Sequence, residues 1–401
     1  MSGEANRYDA SHIQVLEGWE AVRKRPGMYI GSTGERGLNQ MVFEVADRAV
    51  NEALATGSGR VDITLMPDGG VCVADDGPGV PIDKPEGAGG SGLEALLTDM
   101  QAGAGPDGRH SVTLGFCGLG PAVVNALSRR MTAEVRREGV RWVQEYARGV
   151  AVTPLTEAGA ATGSGTSTAF WPDADIFGTT ECSFDGLAER FRELAFLNQG
   201  LEVSLTDRRG PGESRSTRFR FPGGVRDFVV FLDSPASEPA PTELAPREII
   251  AFEHEDPRMA GVMEVAFHWS RSGEERVRSF ANSRPTTGGT HALGFRDGAA
   301  AAVTAYAREQ HLLTATDPDL GTDQIGEGLT AVVSVKLDRP EFEGSTRGVL
   351  GNSAVRDCVG QSVQHHLGRW LKEQPERAAA VIDRVVRSAP QNSPATDSDG
   401  R

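Results

Sequence analysis

Lysine is nearly missing from this 401-residue chain: Lys24, Lys84, Lys336 and Lys372 are all it has, and arginine carries the remaining positive charge. A bias this even along the chain reflects genomic base composition rather than a binding site. Cysteine is equally thin. The four residues Cys72, Cys117, Cys182 and Cys358 are scattered with no CxxC pair, which excludes a disulfide framework and a structural zinc site. No apolar run approaches the roughly 18 residues of a membrane span. The opening MSGEANRYDASHIQ has no apolar signal core, so the cytosol is the expected compartment, with no membrane partner. Positive charge is also short overall. A formal net charge of −15 excludes a general nucleic-acid binder and leaves only a local basic surface open.

What is present suits a globular protein of two domains, with 38% hydrophobic and 24% charged residues. The spacing predicts helices over 12–24, 38–55, near 91–100, over 121–128 and over 182–200. Pro26 and Gly200 stand where helices of this kind stop. GRVDITLMPDGGVCVADDG reads as two short strands turning at Asp68-Gly69-Gly70, and further strands are expected at 131–137, 141–147, 166–171 and 201–207. The segment 208–224 reads as a loop or hairpin. Beyond it come helices at 225–232, 292–309, 353–373 and 376–388, with strands at 261–269, 276–281 and 328–337. Alternating helices and strands imply two α/β or α+β domains divided near residue 222, and 389–401 has the composition of a disordered tail.

Three stretches bear chemistry. In VFEVADRAVNEAL (42–54), helical spacing puts Glu44, Arg48, Asn51 and Glu52 on one stripe, with Phe43, Ala46, Val50, Ala53 and Leu54 on the other side. Glu44 is there either a catalytic base or half of a surface ion pair. ADDGPGVP (74–81) is either a capped turn or a buried Asp75 that accepts a hydrogen bond from an amino group, with glycines admitting a ligand to the backbone. LGFCGLGPAVVNAL (114–127) is a glycine-spaced loop entering a helix, a place where backbone N–H groups can meet phosphate. It lacks the Lys-Ser/Thr of a P-loop and the spacing of a Rossmann fingerprint.

Taken together and in order, YDASHIQVLEGWEAVRKRPGMYIGS (8–32), VFEVADRAVNEAL, DDGPGVP, GFCGLGPAVVNALS, GSGTSTAFWPD (163–173), GGTHALGF (288–295) and EGLTAVVSVKL (327–337) resemble the ATPase region of bacterial DNA gyrase B and its topoisomerase IV relative. The resemblance runs from about residue 8 to 388. It implies a GHKL (Bergerat) α/β sandwich over 1–222 with an N-terminal dimerisation arm, and a transducer domain of ribosomal-S5-like fold over 223–388. It implies ATP as ligand, with Glu44 as the base that activates water, Asp75 reading the adenine amino group and Thr166 joining it through water. Gly79, Val80 and Pro81 match the floor beside adenine. Gly115, Cys117, Gly118, Leu119 and Gly120 match the loop around the triphosphate, and Gly103 lies in the lid segment. Tyr8 matches the arm residue that reaches the other protomer's nucleotide, and Arg347 stands where a transducer lysine touches the γ-phosphate.

The departures gather at the phosphate end. Arg48 replaces the asparagine that binds Mg²⁺ in the family, and a guanidinium has only donors, so Mg²⁺ is not expected there in the family's manner. Pro78 replaces the arginine that pairs with the acid matching Glu52. Cys117 stands for a histidine, Gly105 for a lysine and Ser345 for a glutamine. One arrangement open to Arg48 is to fold back on Glu44. The implied function is a gyrase B-like module without the TOPRIM region that binds nucleotide and dimerises with impaired or no hydrolysis. The alternative is an active ATP-hydrolysing gate module of a DNA topoisomerase. Implied partners are a second copy on nucleotide binding, a topoisomerase subunit, and a weak DNA contact through the transducer.

Overall fold

The computed structural model describes residues 18–83, 90–100, 108–109, 111–114, 118, 120–179, 181–234, 249–270, 273–344 and 347–387. Two compact units emerge: one holds residues up to Gly105, Thr113–Arg192 and Gly200–Arg220, and the other holds Pro106–Val112, Glu193–Gln199 and everything from Phe221 on.

The first unit begins with two short helices, α1 (Trp19–Lys24) and α2 (Gly27–Ile30), interrupted by Pro26, and continues into the long helix α3 (Glu35–Leu54). The predicted hairpin forms as β1 (Gly59–Leu65) and β2 (Val71–Asp75), antiparallel. Helices α4 (Gly92–Thr98) and α5 (Pro121–Ala126) follow, then β3 (Ser128–Arg137), β4 (Val140–Ala147), β5 (Val150–Ala151), β6 (Thr156–Ala160) and β7 (Gly165–Pro172). After helix α6 (Phe184–Leu197), β8 (Leu201–Asp207) pairs parallel with β1, and β9 (Arg215–Phe219) closes the hairpin expected in 208–224. The nine strands make one sheet in the order β5-β4-β3-β7-β2-β1-β8-β9, with β6 on β4.

Alternation explains which face is dry. Val61, Ile63 and Leu65 of β1, Val71 and Val73 of β2, and Val203 and Leu205 of β8 are all buried. They meet Met41, Val42, Val45, Ala49 and Val50 of α3, spaced three and four apart so that one helix face covers the sheet. Phe43 leaves this stripe and meets Phe191 of α6 edge-on, with ring centroids 5.7 Å apart. Because α3 lies over β1 and β2, its polar stripe faces the chain as it leaves β2. That placement creates the site.

The second unit has helix α7 (Val225–Asp233) and a five-stranded sheet of β10 (Ile250–Asp256), β11 (Gly261–Trp269), β12 (Arg276–Ala281), β13 (Arg284–Thr286) and, after the two-residue β14 (Gly288–Gly289), β15 (Leu329–Leu337), ordered β10-β11-β15-β12-β13. Strand β15 is buried almost end to end and pairs antiparallel with β11 and parallel with β12, as befits a central strand. Strand β10, which reads IAFEHED, carries no apolar alternation and was not expected from the sequence. Helices α8 (Thr290–Glu309), α9 (Thr322–Ile325), α10 (Ser353–Glu373) and α11 (Pro375–Arg387) complete the unit, with β16 (Phe342–Glu343) and β17 (Val349–Leu350) beside β14. Helices α8 and α10 cross closely: a Cβ at Gly294 or Gly298 would run into the carbonyl oxygen of Arg356 or Gly360.

Candidate nucleotide site

Helix α3 turns a row of ionisable side chains toward the end of the sheet. Glu44 is only 1% exposed, and an isolated carboxylate that deep would be costly. Donors offset the burial: Gly120 N–H donates to Oε2 at 3.0 Å, and Gln40 Nε2 donates to Oε1 at 3.0 Å. Asp47, three residues on, is also buried and accepts the Leu114 N–H, while Asn51 Nδ2 donates to the Asp47 carbonyl at 2.7 Å. Arg48 does not fold back on Glu44. Its guanidinium pairs with Glu52, one turn further along, so the acid that the resemblance would pair with residue 78 is neutralised from within its own helix.

The second half of the site sits where β2 ends. Asp75 is 5% exposed and has no cation partner among the described residues. Gly77 N–H and Thr166 N–H donate to its Oδ1 at 3.0 and 3.2 Å, and Oδ2 makes no hydrogen bond among the described residues. Burial raises its pKa to about 7, against the lowering effect of the two N–H groups and with help from the nearby charges of Glu52 and Asp76. Thr166 Oγ1 accepts from Val80 N at 3.1 Å. Thr166 therefore meets Asp75 directly through its backbone, and its hydroxyl positions Val80. Val80 is buried and Pro81 exposed.

Two glycines are required by geometry here. Gly79 has φ +79°, and a Cβ on it would lie 2.8 Å from the Arg136 carbonyl oxygen. Gly165 has φ +139°, and a Cβ would collide with the Asp75 carbonyl oxygen. Arg137 Nη1 donates to the Gly79 carbonyl at 2.9 Å and holds the turn from the β3 side. Gly118 and Gly120 take φ +62° and +72°, left-handed values that glycine adopts without strain.

The structure thus brings Glu44, Arg48, Asp75, Gly79, Val80, Thr166 and Gly120 into the first unit. Tyr8, Gly103, Gly115, Cys117 and Leu119 lie outside the described residues. Arg347 belongs to the second unit, exposed on a turn at φ +50°. Sequence reasoning missed Gln40 and Asp47, though both stand at helical spacing from Glu44 on the same face. The polar groups fit an adenine nucleotide at its amino end: Asp75 keeps one carboxylate oxygen with no hydrogen bond among the described residues, an acceptor for an amino donor. Position 48 cannot ligate a divalent cation, because a guanidinium has only donors and this one is paired with Glu52.

Comparison with known proteins decides the family. Residues 33–176 match the family described as histidine kinase-, DNA gyrase B-, and HSP90-like ATPase, and residues 224–399 match that described as DNA gyrase B. The 43K ATPase domain of Thermus thermophilus gyrase B, solved with an aminocoumarin, superposes with a TM-score of 0.76 at 33% identity, over 93% of this chain and 95% of that one. The chain belongs to the DNA gyrase B family. Its fold is the GHKL ATPase architecture followed by a transducer, and the topoisomerase IV ATP-binding domain of Francisella tularensis agrees, at a TM-score of 0.74, 26% identity and coverage of 94% and 98%. Among curated gyrase B proteins, that of Streptomyces coelicolor is 44% identical over 399 residues, and the novobiocin-resistant one of Streptomyces niveus 42% over 397. Each match covers 95% of this chain and 57% or 58% of the relative, so the chain spans less than two thirds of their length.

Proposed function

We propose that this gyrase B-family module binds ATP through Asp75, Thr166 and the glycine loop, and turns it over slowly or not at all. The observation that carries the reading is the Arg48–Glu52 pair on α3. It places a guanidinium, which has donors only and cannot ligate a metal, one turn from the candidate base Glu44, at the position the resemblance assigns to the metal ligand. The pairing also occupies Glu52, so that acid is not free to hold a divalent ion in its place. Glu44 is retained and buried, but its two oxygens already accept N–H donors. A base held this way abstracts a proton from water less readily.

In this reading residues 1–222 bind nucleotide and 223–388 form the transducer, with Gly103, Gly115, Cys117, Gly118, Leu119 and Gly120 around the phosphates. Nucleotide binding dimerises the chain, Tyr8 and Arg347 reach the nucleotide in the dimer, and a topoisomerase subunit is the partner. No helix among the described residues is long and apolar enough to cross a membrane.

The test is calorimetric titration of ATP with and without Mg²⁺, together with phosphate release from the wild type, Arg48→Asn and Glu44→Ala. The reading expects binding that hardly depends on Mg²⁺, little turnover in the wild type, and a rise of Mg²⁺-dependent turnover in Arg48→Asn. Robust Mg²⁺-dependent turnover of the wild type, lost in Glu44→Ala, would establish an active gate module instead.

A further inference from the structure

We propose that Arg48 is a positioning residue for the adenine end of the site: by neutralising Glu52 it spares Asp75 the repulsion of a second bare carboxylate, so that Asp75 can take the amino group of a purine. This rests on the ATP-binding reading above. The contact runs through Gly77. Its N–H donates to Asp75 Oδ1 at 3.0 Å, and a Cβ on it would lie 2.7 Å from the Glu52 carbonyl group and 2.9 Å from the Glu52 Cβ. A residue without a side chain thus lets the last turn of α3 back onto the turn after β2. Glu52 stands beside Asp75 with the Gly77 backbone packed between them. Its side chain is only 12% exposed, where water and salt screen a charge weakly. Arg48 answers that charge from one turn earlier on the same helix. Position 78, next to Gly77 in the chain, is a proline and brings no charge.

The other charged groups around Asp75 leave this role to Arg48. Asp76 adds negative charge from the same turn, exposed, with its Oδ1 accepting the Arg60 N–H from β1 at 2.7 Å. The Arg60 side chain is itself paired with Asp62. From β3, Arg136 approaches the Asp75 backbone carbonyl at 3.5 Å, and Arg137 donates to the Gly79 carbonyl. Strand β7 supplies the Thr166 N–H and no charge. Burial already lifts the Asp75 carboxyl to about 7, and the charges of Glu52 and Asp76 add to the rise. A protonated Asp75 can turn a donor toward the amino group, itself a donor, so a further rise weakens binding at neutral pH.

The test follows the ionisation of Asp75 and the binding it governs. The Asp75 carboxyl resonance is titrated by NMR in the free full chain, and adenosine affinity is measured calorimetrically across neutral and mildly alkaline pH. The proteins are wild type, Arg48→Lys, Arg48→Asn, Glu52→Gln and the double variant Arg48→Asn/Glu52→Gln. Expected for Arg48→Asn is an Asp75 midpoint higher by about one unit. Adenosine should then bind up to about tenfold more weakly below the midpoint and nearly as well as to wild type at the alkaline end. Arg48→Lys, which keeps the cation, should stay near the wild type. Glu52→Gln should lower the midpoint, and in that background Arg48→Asn should shift it little further, as expected of a residue acting through Glu52. An unmoved midpoint in Arg48→Asn, or an equal rise with and without Glu52, would overturn the role. So would an affinity loss uniform across pH, the mark of a merely structural change. A wild type that binds neither ATP nor adenosine would instead overturn the proposed function, and the Asp75 midpoints would still show whether Arg48 acts on that carboxyl.

Discussion

At the scale of single residues, Asp75 carries the sharpest consequence. Its pKa near 7 in the folded chain, against 3.8 for an unperturbed Asp, means that the native state holds a proton the unfolded chain releases between pH 4 and 7. Stability should therefore fall as pH rises through that window, by a few kcal/mol at most, and Asp75→Asn should flatten the curve. Ligand binding has the opposite sign. An adenine amino group is a donor and favours the ionised carboxylate. Adenosine affinity should then rise with pH from 6 to 8, by up to tenfold per unit below 7, and one proton should leave per adenosine bound near pH 6. Calorimetry in buffers of different ionisation enthalpy reads that proton directly, and no release near pH 6 would mean that Asp75 is already ionised or is not the acceptor. Arg48 and Glu52 could be named from the one-letter code because helical spacing set them together. That Arg48 turns to Glu52 and away from Glu44 could not, since both acids lie four residues from it.

Elements were the most legible part of the chain, where burial imposes a period. Helix α10 was expected over 353–373 and lies there, and β8, β11 and β12 likewise match. Misses have a common cause. Strands β6 and β10 are built from TEAGA and IAFEHED, exposed over most of their length, so pairing alone makes them strands. The α8–α10 crossing was equally hidden, because Gly294 and Gly298 read as poor helix formers. They are there to let two backbones approach. Gly294→Ala should consequently destabilise the second unit by about 1–3 kcal/mol through overpacking, although alanine gains about 1 kcal/mol of helix propensity. Urea unfolding followed by Trp269 and Trp370 fluorescence checks this, and a stabilised variant would mean that the helices part without cost.

Across the whole molecule the balance is acidic, with a net charge of −15, and most arginines of 205–220 are already engaged: Arg209 with Asp207, Arg215 with Asp185 and Arg218 with Glu202. Among the described residues of this stretch, little uncompensated positive surface is left to attract a duplex. Binding of DNA by the isolated chain should be weak and should fall steeply with salt, and affinity that ignores salt over a severalfold range of concentration would refute an electrostatic contact.

The residues alone settled the family resemblance, the two-part α+β organisation and the positions of Glu44, Asp75 and the glycines. Periodicity and motif order are properties of a line. Tertiary structure decided how those residues are wired: Thr166 reaching Asp75 through its backbone, Gln40 and Gly120 donating to Glu44, and Asp47 accepting the Leu114 N–H. The reason is physical. A buried carboxylate must find donors, and which backbone N–H groups come within about 3 Å of it depends on how the chain after β2 and before α5 packs beneath α3, a distance that no sequence spacing encodes.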